Sequence, residues 1–450
     1  MCSLPQRRHR AHKAQVLLPE GDVGGGAEHG EEGLAACGSD ALRWALIGYM
    51  QQGRVINLDV GRVVTARQFG NKLWQAARFT LTHLEAQNDA ASSGLVAELP
   101  PLLTVEELLA AETGEARGLG QRWVLSRLAS AAAGVDEGLE GFRMAAASGA
   151  AQRFVLDELC DEYIEMTKLA LHSRQDDDSS SLVGSGVEAS AVLFAAVESS
   201  LRLLHPFLPF LTEELYQRLR HTAAQRAALL AADPTAQNQE GARSIMVSAF
   251  PAAEDYGRLR DDGAEGEMET LLSVQTALRG LQTLRSRLVG KAATPSAEAA
   301  VVIAVEERDP ATAALLREHS AAVLGRCGRK ADAGLAMDVR LLPSGAAEEE
   351  GEQEGGWLSA AVGETAVVRL AVPLDDETQQ KVGREVKRLE KKQRKLTQKS
   401  AKLGKQMGSA RYQERASAEV RARDEATVAE AEAEVASIQG TLLALRRLSD

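Results

Sequence analysis

A chain of 450 residues with 44% hydrophobic residues has room for several folded cores, and with 4% aromatics and abundant Ala, Leu, Glu, Lys and Arg it favours helices over sheets. A formal charge of −12 excludes a surface that attracts phosphate everywhere, so any contact with a polyanion has to come from local basic patches. The four cysteines, Cys2, Cys37, Cys160 and Cys327, form no Cys-x-x-Cys pair, which argues for reduced thiols in an intracellular setting, and no apolar run approaches the roughly 18 residues of a membrane span.

Residues 1–33 start basic and acid-poor without an amphipathic core, then turn Gly- and Glu-rich, so they are expected to be disordered or a mispredicted start rather than a targeting signal. From Ala41 to about Leu84 apolar residues recur at helical spacing, which predicts one long helix after a short connector. Residues 85–119 read as a hairpin-loop insertion broken by Pro100-Pro101, with a brief helix opened by a Thr104–Glu107 capping box. Helices are predicted over Gln121–Gly134, Leu139–Leu171 and Val187–Leu204, with a solvated loop at Gln175–Ser181. In Leu201–Leu219 (LRLLHPFLPFLTEELYQRL) the prolines Pro206 and Pro209 force a corner, and Thr212 stands where an N-cap belongs. The following helix reaches about Ala231, and Ser244–Pro251 is predicted as an extended closing segment.

Beyond it a helix over 267–288, strands at Ala299–Val305, Met337–Leu342 and Ala366–Val372, and a helix near Thr312–Leu324 predict a small α/β domain, with Glu348–Gly356 as a loop tip. The last segment changes pattern. Val382, Leu389, Leu396 and Leu403 recur every seven residues, and after a break near Gly408–Tyr412 the period resumes at Val428, Val435 and Leu442, which predicts an antiparallel coiled-coil hairpin. Each arm of about 30 residues reaches about 45 Å. From Lys381 to Lys405 there are eleven Lys or Arg against Glu385 and Glu390, an excess of nine charges that calls for an anionic partner. For most of these charges a solvated coiled-coil surface with ion pairs between the two helices is the plainer expectation.

The corner string, with Asp40-Ala41-Leu42-Arg43, Gln52–Asp59 (QGRVINLD), Phe69–Phe79 (FGNKLWQAARF) and Asp157–Glu165 (DELCDEYIE), resembles in order and spacing the anticodon-binding part of class I aminoacyl-tRNA synthetases. The branch is the one that charges valine, isoleucine, leucine and methionine, and the valyl enzymes fit best. The resemblance runs from about Leu34 to the C-terminus. It implies a mainly α chain: 34–60 as a remnant of the junction with a catalytic domain, 61–255 as an anticodon-binding helical bundle, 256–375 as a small α/β linker domain and 376–450 as a tRNA-binding coiled-coil arm.

Class I catalysis uses a His-x-Gly-His turn and a Lys-Met-Ser-Lys-Ser-like loop, and neither occurs in the sequence. The resemblance therefore implies ATP-dependent attachment of valine to tRNA for a complete enzyme, with this chain supplying tRNA binding but no catalytic residue. ATP and Mg belong to the full-length family, and no cofactor or metal is expected in this chain. The expected partners are valine tRNA and the catalytic and editing domains, with no membrane, a monomeric state and a cytoplasmic location. A non-catalytic tRNA-binding factor and a coiled-coil assembly factor are the alternatives.

Single-stranded loops of RNA are read by stacking and by hydrogen bonds to base edges. Arg67, Asn71, Lys72, Trp74 and Arg78 supply those chemistries, and spacings of three and four put Arg67, Asn71, Trp74 and Arg78 on one stripe. Phe69 is read as a core residue. For the arm, Lys387, Arg388, Lys391, Lys395, Lys399 and Lys402 are expected on the tRNA backbone, positioning it without reading sequence. Asp161, Glu162 and Glu165 read as a solvated face, and His205 as a packing or capping residue. Arg43 is expected to pair with Asp40 or with the catalytic domain.

Overall fold

A computed structural model describes residues 37–50, 59–93, 99, 101–110, 117–172, 182–184, 186–231, 244–289, 301–306, 309–327, 337–342, 356–363, 365–372, 376–409, 412 and 418–446. The expectations for 1–33, for most of Gln52–Asp59 and for Gln175–Ser181 lie outside these residues.

Two helices replace the single one predicted from Ala41. Helix α1 (Ser39–Ile47) ends at Gly48, and α2 (Val60–Ser92) starts afresh behind Asp59, whose carboxylate accepts from Gly61 N at 2.8 Å. Tyr49 ties the two ends, its hydroxyl accepting from Asp59 N at 3.0 Å. Helix α2 runs past Leu84 into the predicted loop because its last turns are buried too: the Asn88 amide donates to Thr222 O at 3.3 Å and accepts from Arg226 Nε at 2.8 Å. Val63, Ala66, Phe69, Leu73, Ala76, Ala77 and Leu84 make its inner face.

Helix α3 (Val105–Ala110) opens with the predicted capping box, Thr104 N donating to Glu107 Oε2 at 2.7 Å and Glu107 N to Thr104 Oγ1 at 3.3 Å. Helix α4 (Leu119–Glu140) outruns its predicted end, and the turn falls at Gly141–Arg143, where Phe142 takes φ 52°. Gly138 sets this geometry: a Cβ there would lie 2.7 Å from the backbone N of Ala147, so only glycine lets α5 (Met144–Arg153) pack this closely on α4. The predicted continuous helix is instead α5, a π-helical stretch over Phe154–Tyr163, and α6 (Ile164–His172). Side chains tether the wide turns, Glu158 accepting from Arg127 Nε at 2.8 Å and Tyr163 donating to Ala189 O at 3.1 Å.

Helix α7 (Gly186–Leu204) leads to the corner, and α8 (Pro209–Leu230) begins before the predicted cap. Pro209 suits the first helical position because its φ is preset and its missing N–H has no helical partner there. Thr212 therefore sits inside the first turn, its hydroxyl donating to Leu208 O at 2.8 Å and lying 2.7 Å from His205 Nδ1. The segment after it is a 3-10 turn at Ile245–Val247 rather than extended, pinned by Ser244 Oγ donating to Glu213 at 2.8 Å. A short α9 (Ala253–Tyr256) precedes α10 (Asp262–Val289), which packs on α4 and then on the sheet.

The sheet has strand order β2-β1-β4-β3. Strand β1 (Val301–Glu306) pairs parallel with β2 (Met337–Leu342) across α11 (Pro310–Glu318) and α12 (Ser320–Cys327), and antiparallel with β4 (Ala366–Val372). Val301–Val305 are all buried, as a central strand requires. Strand β3 (Gly356–Val362), adjoining the predicted loop tip, pairs antiparallel with β4. Helices α13 (Asp376–Met407) and α14 (Ala418–Arg446) close the chain, with Lys392–Glu434 (2.6 Å) and Glu390–Arg446 (2.8 Å) fixing an antiparallel pairing. Among the described residues no helix is long and apolar enough to cross a membrane.

Candidate nucleic-acid interface

The outer face of α2 is set by what its inner face buries. Phe69 is a core residue, stacked on Trp44 with ring centroids 4.6 Å apart, and Leu73 and Ala77 continue that row. Rotated away from it, Arg67, Asn71, Trp74 and Arg78 form one stripe beside α8: Asn71 and Arg78 are exposed, Arg67 and Trp74 half-buried. The indole of Trp74 packs against the core, and the Arg218 guanidinium stands 5.4 Å from its ring centroid. Glu214 holds Arg218 in place, accepting from its Nε at 2.8 Å and its Nη2 at 2.6 Å. Arg67, Asn71 and Arg78 make no side-chain hydrogen bond or ion pair among the described residues.

Lys72 does not join the stripe. It lies on the opposite shoulder of α2, 3.9 Å from Asp161, and with side chains 61% and 63% exposed the pair is a weak one. Arg218 was not singled out in the sequence. Its Glu214 spacing of i,i+4 is readable there, but its place above Trp74 depends on how α8 packs on α2.

Asp161 and Glu165 are exposed, as expected of a solvated face, whereas Glu162 is half-buried. Glu162 forms an ion pair with Arg326 of α12, Glu165 pairs with Lys168 at 2.5 Å, and burial pushes the Cys160 thiol up to about 11. Among the described residues no group of three or more His, Cys, Asp or Glu is placed to hold a metal. Among the described residues Arg43 pairs with neither Asp40 nor any other carboxylate: its Nη2 donates to Pro206 O at 3.1 Å and its Nε to Phe207 O at 3.4 Å, while Asp40 accepts from Leu211 N at 2.7 Å. Both residues grip the corner, satisfying backbone groups that two prolines leave without helical partners.

Behind the corner lies a buried ionic cluster. Arg202 donates to Glu106 at 2.8 and 2.9 Å, pairs with Glu198 at 2.9 Å, and donates to Tyr256 Oη at 3.0 Å and Ala249 O at 2.9 Å. Burial pushes the Glu198 carboxyl above its ordinary value despite Arg202. For Glu106 burial acts upward as well, but the Arg202 hydrogen bonds and charge outweigh it and leave the carboxyl below its ordinary value. This cluster is structural, joining α3, α7 and α9.

On the arm, Val382 and Leu389 of α13 are buried against Ile438, Leu442 and Leu445 of α14, while Leu396 and Leu403 are half-buried towards the tip. Lys387, Lys391, Lys395 and Lys402 are exposed on the side of α13 away from this seam and Lys399 is exposed on its flank, all without a partner among the described residues. Arg388 differs from them: Glu385 accepts from its Nε at 2.7 Å and its Nη2 at 2.6 Å. The structure thus brings together five bare ammonium groups and sets the guanidinium apart.

Comparison with known proteins gives this architecture a relation. Residues 121–301, from α4 into β1, match the family model of the anticodon-binding domain of tRNA ligase. The valine--tRNA ligase of Geobacter sulfurreducens is 30% identical over 413 residues, 92% of this chain and 39% of that protein. That of Mus musculus is 29% identical over 420 residues, 92% of this chain and 28% of that protein, and that of Homo sapiens 34% identical over 250 residues, 56% and 17%. The chain thus spans well under half the length of these relatives. By its anticodon-binding domain and by similarity along nine-tenths of its length, the chain belongs to the valine--tRNA ligase family.

Proposed function

We propose that this chain is the tRNA-binding portion of a valine--tRNA ligase. The α2 stripe meets the anticodon stem and loop, and the arm lysines hold the backbone of the same tRNA. The observation that carries the reading is the stripe itself: Trp74, half-buried under Arg218, offers a fixed aromatic edge, flanked by the uncommitted donors of Arg67, Asn71 and Arg78. Lys72 contributes charge from the opposite shoulder. The five lysines and the overall charge of −12 fit a protein that confines phosphate attraction to one ridge.

In the complete enzyme the reaction is ATP-dependent attachment of valine to its tRNA, with ATP and Mg bound outside this portion. The chain alone contributes recognition, acts as a monomer in the cytoplasm, and does not charge tRNA. A titration of the purified chain with valine tRNA tests the reading, with Trp74→Ala alongside. Saturable binding that Trp74→Ala weakens supports it, and no binding at low salt overturns it.

A further inference from the structure

Two recognition surfaces can grip one rigid RNA together only if the protein fixes their separation. Helix α10 is the strut between them. Near its N-terminus it is tied to α4, Arg122 meeting Asp261 at 2.8 Å and Arg127 meeting Glu265 at 3.2 Å. Near its C-terminus Arg287 lies 3.3 Å from Glu385 at the root of the arm. The Glu385 side chain is only 13% exposed, close in sequence to the buried Val382 and Leu389, and it holds Arg388 as well as Arg287. A second tie joins the α/β domain to the bundle: Arg326 of α12, its side chain 4% exposed, pairs with Glu162 and donates to Asp161 O at 3.3 Å. Asp161 is the residue that Lys72 of α2 approaches.

We propose that Glu162 and Glu385 are positioning residues, latches that hold the arm at a fixed angle to the α2 face so that one tRNA engages both surfaces at once. The proposal rests on the functional reading above. It also assigns Arg388 to the root of the arm rather than to the RNA-contacting ridge, because its charge is already met by Glu385. Loosening either latch leaves every RNA-facing side chain in place but dilutes the arm around the bound anticodon, lowering the effective concentration of the second contact.

The test exploits a difference of sign. Removing a carboxylate beside a basic ridge strengthens tRNA binding if electrostatics alone acts, whereas loss of a latch weakens it. Glu385→Gln and Glu162→Gln chains are titrated with intact valine tRNA and with its isolated anticodon stem-loop. The expected result is intact-tRNA binding weaker by about two- to fivefold for Glu385→Gln, the range of an ion pair whose arginine remains exposed, with stem-loop affinity unchanged. Arg287→Lys, which keeps the pair, binds like the unaltered chain. Should Glu162→Gln unfold, Glu385→Gln and Arg287→Lys still decide. Unchanged or tighter binding of intact tRNA by Glu385→Gln overturns the inference, as does an equal loss for the stem-loop. If the unaltered chain binds neither RNA, the functional reading falls and this inference with it.

Discussion

Trp74 and Arg202 show the two fates of a residue with recognition chemistry in this chain. Trp74 keeps an edge for solvent and seats Arg218 over its ring, so Trp74→Ala, which removes both, is expected to weaken tRNA binding by about 1–3 kcal/mol, about 5- to 150-fold. A filter-binding titration that finds less than about a twofold loss removes Trp74 from the interface. Arg202 is internal: with its side chain 5% exposed and that of Glu198 2%, Arg202→Met strands a buried carboxylate and is expected to cost about 3–5 kcal/mol, read from denaturant unfolding. The Glu106 carboxyl, held below its ordinary value of 4.5, contributes stability that is present above that pH and lost as pH falls through the folded value. Glu106→Gln is therefore expected to be less stable than the parent at pH 7, with the gap closing below about pH 4.5; a gap independent of pH contradicts this. Arg202 escaped notice in the sequence because its partners Glu106 and Tyr256 stand 96 and 54 residues away, a proximity that only the packed fold creates. The Arg67, Asn71, Trp74 and Arg78 stripe could be read because it needs nothing beyond helical spacing.

Helices with one buried face were legible, since apolar residues at three and four mark α2, α7 and α8 without tertiary information. Their ends were less so. Helix α8 starts at Pro209 rather than behind Thr212 because two start signals competed, and α2 outlasts its apolar pattern because Asn88 finds buried partners. Strand β3 stayed hidden since its Ser359-Ala360-Ala361 centre carries little strand propensity and is ordered by pairing with β4. Gly138 has nothing in its sequence surroundings to set it apart from any helix glycine, because the close approach of α5 arises only in the packed bundle. Gly138→Ala is expected to cost about 1–3 kcal/mol through overpacking, measured as a lower Tm, and an unchanged Tm refutes the close α4–α5 packing. On the arm, Lys391→Gln, Lys395→Gln and Lys399→Gln together are expected to lower the slope of log K against log salt by about 0.7–0.9 for each phosphate left without its lysine, alike for every tRNA. A slope that stays at the parent value shows that these lysines face no phosphate.

At the scale of the molecule, an acidic chain presents one aromatic and cationic helix face and one lysine ridge, carried on a bundle and an arm that share the strut α10. Under the proposed function the helix face would provide selectivity and the ridge affinity, because bases differ between tRNAs and phosphates do not. Binding should therefore show two independent signatures, a preference among tRNAs that survives added salt and a strength that does not. The most direct measurement is a competition titration of the purified chain against valine, isoleucine and methionine tRNAs at low and moderate salt. The account predicts preference for valine tRNA at both salt levels with overall affinity falling steeply as salt rises. Equal binding of all three tRNAs, or none, would contradict it.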